Sequence, residues 1–240
     1  MTQVKHAILA VVMGIFLFTP WAAMASQDTL IQKGTDWMKV DNQSKNIVFS
    51  ATVTKNSSKA AVTEWGQRGQ AWIGCKDGSQ EKFFIFTTDV SRTKIDEAIQ
   101  GMGVKHSHQI SKKGWKKHQG VKDTMSPDDF LNGDPTLVSI RFQKDGKTVQ
   151  IPLENLIEEK IEVDDKEVLR PYTPHYVYHG TGEAIHYTSG CIVCPSDCFG
   201  GIITDNRLPI LTYDSWYRVN WNKMPPVGEK VEVVLQFSVL

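Results

Sequence analysis

The chain has 240 residues, and its 27 lysine and arginine residues balance its 27 aspartate and glutamate residues. Hydrophobic residues make up 40% of it and seven tryptophans are present, which argues against an intrinsically disordered chain. The balanced charge gives no electrostatic reason to expect nucleic acid or an anionic membrane surface as a partner.

The first 25 residues are typical of a cleavable secretory signal. Lys5 gives a positive start, an uncharged apolar run covers residues 7–18, and Ala23, Met24 and Ala25 supply small residues for cleavage. The apolar run is short for a membrane span. We therefore expect residues 1–25 to be removed, leaving a periplasmic or otherwise exported chain with no membrane span. It would carry 26 basic and 27 acidic residues, because the signal contains only Lys5.

The mature chain is expected to begin with a tether and continue as one domain. Residues 26–44 are interpreted as an N-terminal tether with one amphipathic turn around Trp37, and residues 45–240 as a single β-rich domain. β-Branched and aromatic residues predict strands over 46–54 and 82–90.

The middle of the chain contains the clearest helix and the clearest hairpin. Residues 91–101 are predicted to be helical, with a cap at Ser91 or Thr93 and one apolar face. A long polar loop is expected over 106–135, and a hairpin is expected to turn at residues 144–147, where Asp-Gly favours positive φ. Four strands are predicted near the C-terminus, at 174–179, 200–204, 215–221 and 229–239. Together these elements predict an α+β fold, a β-rich single domain with one principal helix and long loops.

The cysteines are the residues whose arrangement most clearly suggests a functional site. Cys191, Cys194 and Cys198 lie close together in a glycine-flanked stretch, while Cys75 is remote in the sequence. Glycines allow a backbone to wrap closely around an ion or cluster. If folding brings Cys75 to the other three, the four thiolates suit an iron–sulfur cluster or a structural zinc. The spacing matches the common bacterial cluster motif only in part.

Two other states of these cysteines are open. An exported chain lies in an oxidising compartment, so two disulfides with no metal are one alternative, one bond within residues 191–198 and one tying Cys75 to them. The other is an active redox dithiol at Cys191 and Cys194, which form a C-x-x-C pair. The βαβ pattern of thioredoxins is not evident in the sequence around this pair.

Histidines are weaker candidates for metal ligands. His175 and His179 would share one face of a predicted strand, and His186 follows the next turn. A purely structural role for these side chains is the alternative. The sequence contains no nucleophile elbow, HExxH, phosphate loop or dinucleotide fingerprint, so no catalytic residue is assigned and an enzyme is not favoured.

The order of these patterns resembles a known family. A cysteine is followed by a strand at 82–86, a helix ending at 101–103, the hairpin at 144–147 and a strand and turn at 176–182. This order is similar to that of the YdjY-type exported bacterial proteins, which are poorly characterised and often labelled ferredoxin-like or 4Fe-4S proteins. The resemblance spans roughly residues 60 to 215. It implies a periplasmic setting and electron transfer, with the four cysteines as candidate cluster ligands by position: Cys75, Cys191, Cys194 and Cys198.

The leading functional hypothesis is an exported, non-hydrolytic protein whose four cysteines hold an iron–sulfur cluster or metal ion. Its role would be electron transfer or redox sensing with an unidentified redox or envelope protein partner. One alternative is a non-catalytic binding or structural module stapled by two disulfides, with a partner surface around Trp115 or the turn at 175–182. The other alternative is a thiol oxidoreductase.

Overall fold

The computed structural model describes residues 29–33, 36–54, 71–106, 132–180, 188–195, 200–207 and 215–238. Within these ranges the chain forms fourteen strands, one α-helix and two 3₁₀ turns. The strands are β1 (Thr29–Lys33), β2 (Asp36–Asp41), β3 (Asn46–Val53), β4 (Ala71–Cys75), β5 (Phe84–Thr88), β6 (Thr136–Lys144), β7 (Lys147–Pro152), β8 (Ile157–Val163), β9 (Lys166–Pro171), β10 (Tyr176–Tyr178), β11 (Cys191–Cys194), β12 (Ile203–Asp205), β13 (Ser215–Val219) and β14 (Lys230–Phe237). The helix α1 is Arg92–Gly101, and the 3₁₀ turns are Glu81–Phe83 and Leu153–Leu156.

Most of these strands belong to one mixed, eleven-stranded sheet. Its main path runs β10-β12-β11-β4-β5-β3-β14-β6-β7, and β1 and β2 join through the pairing of β2 with β3. Two pairs in the sheet, β4 with β5 and β11 with β12, are parallel. A second sheet has the order β13-β8-β9.

The predicted helix and hairpin are confirmed. Helix α1 follows Ser91 and buries Ile95 and Ile99 in the main core, as its apolar spacing predicts. The hairpin of β6 and β7 turns at Asp145 and Gly146, whose φ angles of 51° and 72° are the positive values that a two-residue turn needs.

The expected α+β class is wrong, because the described part of the chain is predominantly β. Ten residues of α1 give a helix about 15 Å long. Nine strands side by side form a sheet about 38 Å wide at the usual strand spacing. One short helix cannot form a layer over such a sheet, so strand side chains supply most of the core.

The segment interpreted as a tether instead contains two strands, β1 and β2. Both β2 and β5 pair with the same edge of β3, β2 along its first half and β5 at its end. Asp36 lies where they diverge, and its fully buried carboxylate accepts from the Asp89 N–H at 2.7 Å, from Ser50 Oγ at 3.1 Å and from Lys230 Nζ. These bonds give the buried Asp36 carboxylate its hydrogen-bond partners at the branch point of the sheet.

The electrostatic balance at Asp36 favours the ionised carboxylate. Burial alone raises the pKa of an aspartate, but the hydrogen bonds from Lys230 and the Asp89 N–H outweigh it, so the pKa of Asp36 is lowered. Lys76 Nζ, 3.5 Å from Asp36 Oδ2, adds a second positive charge. The N-terminal strands are therefore attached to the sheet by a charged, hydrogen-bonded junction.

Among the described residues, no helix has the length and apolarity needed to cross a membrane.

Candidate functional site

The cysteine pair lies on β11, within the glycine-flanked stretch of the sequence. This strand is antiparallel to β4 and parallel to β12. Its register with β4 shifts between Cys191 and Val193. In a regular strand, side chains three residues apart point to opposite faces, but an extra residue at a bulge changes this alternation. The bulge therefore allows Cys191 and Cys194 to face one another.

The sulfur atoms of Cys191 and Cys194 are at disulfide-bonding distance, and their Cα atoms are 6.6 Å apart. This Cα separation lies within the usual range for a disulfide. Each cysteine is only 3% exposed. The structure thus places a buried C-x-x-C disulfide in the interior of the main sheet.

Phe84 and two glycines pack closely around the pair. Phe84, Cys191 and Cys194 form an apolar cluster separate from the main core. Gly74 lies opposite Cys191 on β4, and the ring of Phe84 occupies the space that a Cβ at residue 74 would need. A Cβ on Gly201 would lie 2.9 Å from Cys194 Sγ. Both glycines are thus required by close packing beside the sulfur atoms.

Two buried polar side chains hold the backbone on either side of the pair. Ser189 Oγ accepts from the Cys191 N–H at 3.3 Å and donates to the Gly200 carbonyl at 3.0 Å. Arg92, at the start of α1, donates from Nη1 to the same carbonyl at 2.8 Å. A chain of hydrogen bonds therefore runs from Arg92 through Gly200 and Ser189 to Cys191.

Cys75 lies apart from the other two described cysteines. It follows Gly74 on β4, and successive side chains of a strand point to opposite faces. Because Gly74 is the partner of Cys191, Cys75 points away from the Cys191 side. Its thiol belongs to the main core and donates to the Val90 carbonyl at 3.4 Å. The structure brings Cys191 and Cys194 together and does not bring Cys75 to them.

The other predicted ligands are only partly described. Cys198 and His186 lie outside the described residues. His175 is exposed, with its ring atom Nδ1 2.6 Å from Asn206 Oδ1. His179 is buried, and its backbone N–H donates to the Ile202 carbonyl at 3.0 Å. Within the described ranges, no three histidine, cysteine, aspartate or glutamate side chains converge as metal ligands would.

An aromatic cluster links the second sheet to the cysteine strand. Tyr217 of β13 donates to the Pro195 carbonyl at 3.3 Å, immediately after Cys194. Its ring packs edge-on against Trp72 and Tyr172, with centroids 5.4 Å and 5.2 Å away. Tyr172 Oη donates to Asp205 Oδ2 at 3.1 Å, and burial, with the nearby Tyr176 and Asp205, raises the pKa of Tyr172 well above its usual value. The residue that follows Cys194 is therefore hydrogen-bonded to a buried cluster of aromatic side chains.

Sequence reasoning found the C-x-x-C pair but missed its surroundings. The sequence pattern places Arg92 only in a helix, and no motif marks Ser189, Gly74 or Phe84 as parts of a site. The β-branched Ile192 and Val193 between the cysteines are a sequence signal for a strand. No comparable local signal connects Arg92 with Gly200, because their contact is made across more than a hundred residues.

Comparison with known proteins gives one informative match. The family model described as YdjY domain matches residues 38–236, most of the 240-residue chain. Neither a curated protein nor a solved structure matches the chain.

Proposed function

This chain belongs to the YdjY domain family, and we propose that it is an exported thiol–disulfide redox protein whose Cys191 and Cys194 are oxidised and reduced as a pair. The observation that supports this most directly is the placement of both sulfur atoms at bonding distance within one buried, bulged strand. The predicted secretory signal would deliver the chain to a compartment in which such a pair can be oxidised.

A purely structural role explains this disulfide poorly. In the chain-entropy model, closing a loop of four residues contributes about 2 kcal/mol, against about 3 kcal/mol for fifteen residues. Cys191 and Cys194 already belong to one strand, held by β4 on one side and β12 on the other. Cross-linking so short a loop therefore removes less entropy from the unfolded chain than a long-range disulfide would, which favours a redox role over a purely structural one.

The proposed reaction exchanges the disulfide with a dithiol of a partner protein. Once local opening of β11 exposes the buried pair, a partner thiolate attacks one of its sulfur atoms, so that a mixed disulfide forms and the other cysteine leaves as a thiolate. The second partner thiol then breaks the mixed disulfide. Overall, the partner loses two electrons and two protons and gains a disulfide, while Cys191 and Cys194 become thiols.

An iron–sulfur cluster or bound metal remains a second proposal, favoured by the same convergence of Cys191 and Cys194. A four-thiolate site that includes Cys75 does not fit the described geometry, because that thiol points into the main core. Any such site would need the reduced pair together with Cys198. If Cys198→Ser leaves iron and zinc content and the visible spectrum unchanged, Cys198 is not a ligand.

The proposal is tested by measuring the pair directly in the folded, mature protein. The protein is equilibrated in glutathione buffers of graded ratio, thiols are trapped by alkylation, and the peptide containing Cys191 and Cys194 is weighed by mass spectrometry. We expect both thiols to appear together in one two-electron transition, with the fold retained by circular dichroism.

Three variants and a metal assay complete the test. Cys191→Ser and Cys194→Ser should each abolish the two-electron transition, whereas Cys75→Ser should leave it in place. A disulfide that resists reduction until the protein unfolds would contradict a redox role. Stoichiometric iron or zinc on reduced thiols, found by elemental analysis, would instead support the metal proposal.

A further inference from the structure

A polar groove crosses one face of the main sheet, remote from the cysteine pair. Residues of four neighbouring strands are in register there, with the buried Ser50 opposite Glu232, Glu232 opposite Arg141, and Arg141 opposite Gln150, which borders the groove. The alternate residues of these strands, such as Val233, are buried in the core. The groove has a volume of about 440 Å³, which is within the usual range for small-molecule sites.

The polar side chains of the groove are held in place by one another. Arg141 Nη1 donates to Glu232 Oε2 at 3.0 Å, and Arg141 Nε and Nη2 donate to Gln150 Oε1 at 3.0 and 2.9 Å. Gln143 Nε2 donates to Thr148 Oγ1 at 2.7 Å. Side chains that are already ordered lose less conformational entropy when a ligand binds. The groove therefore presents ordered hydrogen-bond donors and acceptors to a ligand.

Each charged residue among the described lining residues has a partner of opposite charge, although Asp36, the partner of Lys230, lies outside the lining. Arg141 is paired with Glu232, and Lys230 forms an ion pair with the buried Asp36. A strongly anionic ligand would gain little net attraction from such a set. The lining still offers both donors and acceptors, because amide, hydroxyl, carboxylate and ammonium groups are all present.

An indole side chain lines the same groove. Trp37 of β2 is half-buried there, and its backbone N–H donates to Ser50 Oγ at 2.9 Å. A tryptophan offers a large, flat apolar surface with a low entropic cost of ordering. A polar floor beside an indole matches a molecule that presents hydroxyl groups on its edges and C–H bonds on its ring faces.

We propose that this groove binds an uncharged saccharide, with Trp37 packing against a sugar ring. Each sugar hydroxyl can both donate and accept a hydrogen bond. Different hydroxyls of one sugar can therefore bond to Gln143, Thr148 and Glu232. This site is independent of the redox proposal, since β4 and β5 separate β11 from β3 in the sheet.

The test uses neutral tetrasaccharides as probes: chitotetraose, cellotetraose and maltotetraose. Each is titrated into the mature protein labelled with ¹⁵N, and binding is followed by amide chemical shifts and isothermal calorimetry. We expect at least one probe to bind and to shift amides of β3, β6, β7 and β14. A charged control, tetragalacturonate, should bind more weakly.

Variants locate the site and keep the proposal falsifiable. Trp37→Ala should weaken binding at least tenfold, and Gln143→Ala, which changes an exposed side chain without touching the core, should weaken it severalfold. The matched control Trp221→Ala, at a 40% exposed tryptophan outside the groove, should leave binding unchanged. The proposal is overturned if no neutral probe binds, if tetragalacturonate binds more tightly, or if binding survives Gln143→Ala in full.

Discussion

Gly201 lies so close to Cys194 that a Cβ at residue 201 would be 2.9 Å from the sulfur and 3.2 Å from the Ile203 carbonyl oxygen. Contacts this short force a neighbour to move. The backbone of residue 201 therefore acts as one wall of the space that holds the disulfide, and its lack of a side chain is a packing requirement.

Gly201→Ala is expected to destabilise the oxidised protein by about 1–3 kcal/mol, the usual cost of inserting an atom into a packed interior. Urea unfolding monitored by circular dichroism measures the change. Gly101→Ala is a matched control, because a Cβ there meets no atom within 4 Å. Equal losses in the two variants would contradict the close packing inferred around Cys194.

Arg92→Gln should lower stability by about 1.5–3 kcal/mol, the contribution of a hydrogen bond from a charged donor. The variant should also speed reduction of the disulfide by dithiothreitol in the folded protein. The reason is that the Gly200 carbonyl loses the guanidinium that helps to hold it beside the pair. Lys94→Gln, an exposed change on the same helix, should alter neither property. An unchanged reduction rate in Arg92→Gln would show that this bond does not restrain the site.

Asp36 should make stability depend on pH in the acid range. Its pKa is lowered in the folded state, so its contribution is complete above the ordinary value of 3.8 and is lost as the pH falls through the lowered pKa. Asp36→Asn should cost about 2 kcal/mol at neutral pH, less than a fully buried pair because the lysine partners reach water. The variant should also flatten the acid side of the curve of unfolding free energy against pH. Glu167→Gln, at an exposed ion pair with Lys160, is the control, and an equal flattening there would refute the role of Asp36.

Three tyrosines should resist ionisation in alkali until the protein unfolds. Burial raises the pKa values of Tyr172, Tyr176 and Tyr178 above the ordinary value of 10.0. Their contribution to stability is therefore complete below pH 10.0 and is lost as the pH rises towards the folded values.

Phenolate absorbance during an alkaline titration provides the measurement. Tyr172→Phe should remove part of the late rise in absorbance, which coincides with unfolding. The burial of these three tyrosines would be refuted if all six tyrosines of the chain ionised together near their ordinary pKa while the circular dichroism spectrum stayed native.

The cysteine site shows the limit of local patterns. The spacing of Cys191 and Cys194 identified a chemically capable pair, but strand alternation alone would have placed them on opposite faces. The bulge that brings them together exists only in the pairing of β11 with β4. The direction of the Cys75 side chain was equally hidden, because it follows from the register that sets Gly74 opposite Cys191.

Residues close in sequence were enough to determine the α1 helix and the β6–β7 hairpin, and the order of such local patterns along the chain carried the likeness to the YdjY family. Periodicity and positive-φ turns act over only a few positions. Tertiary structure alone decided the predominance of strands over helix, the branch of the sheet at Asp36 and the hydrogen bond from Arg92 to the Gly200 carbonyl. Each depends on backbone pairing or burial between segments far apart in the chain, and no short stretch of sequence encodes which distant partner it will meet.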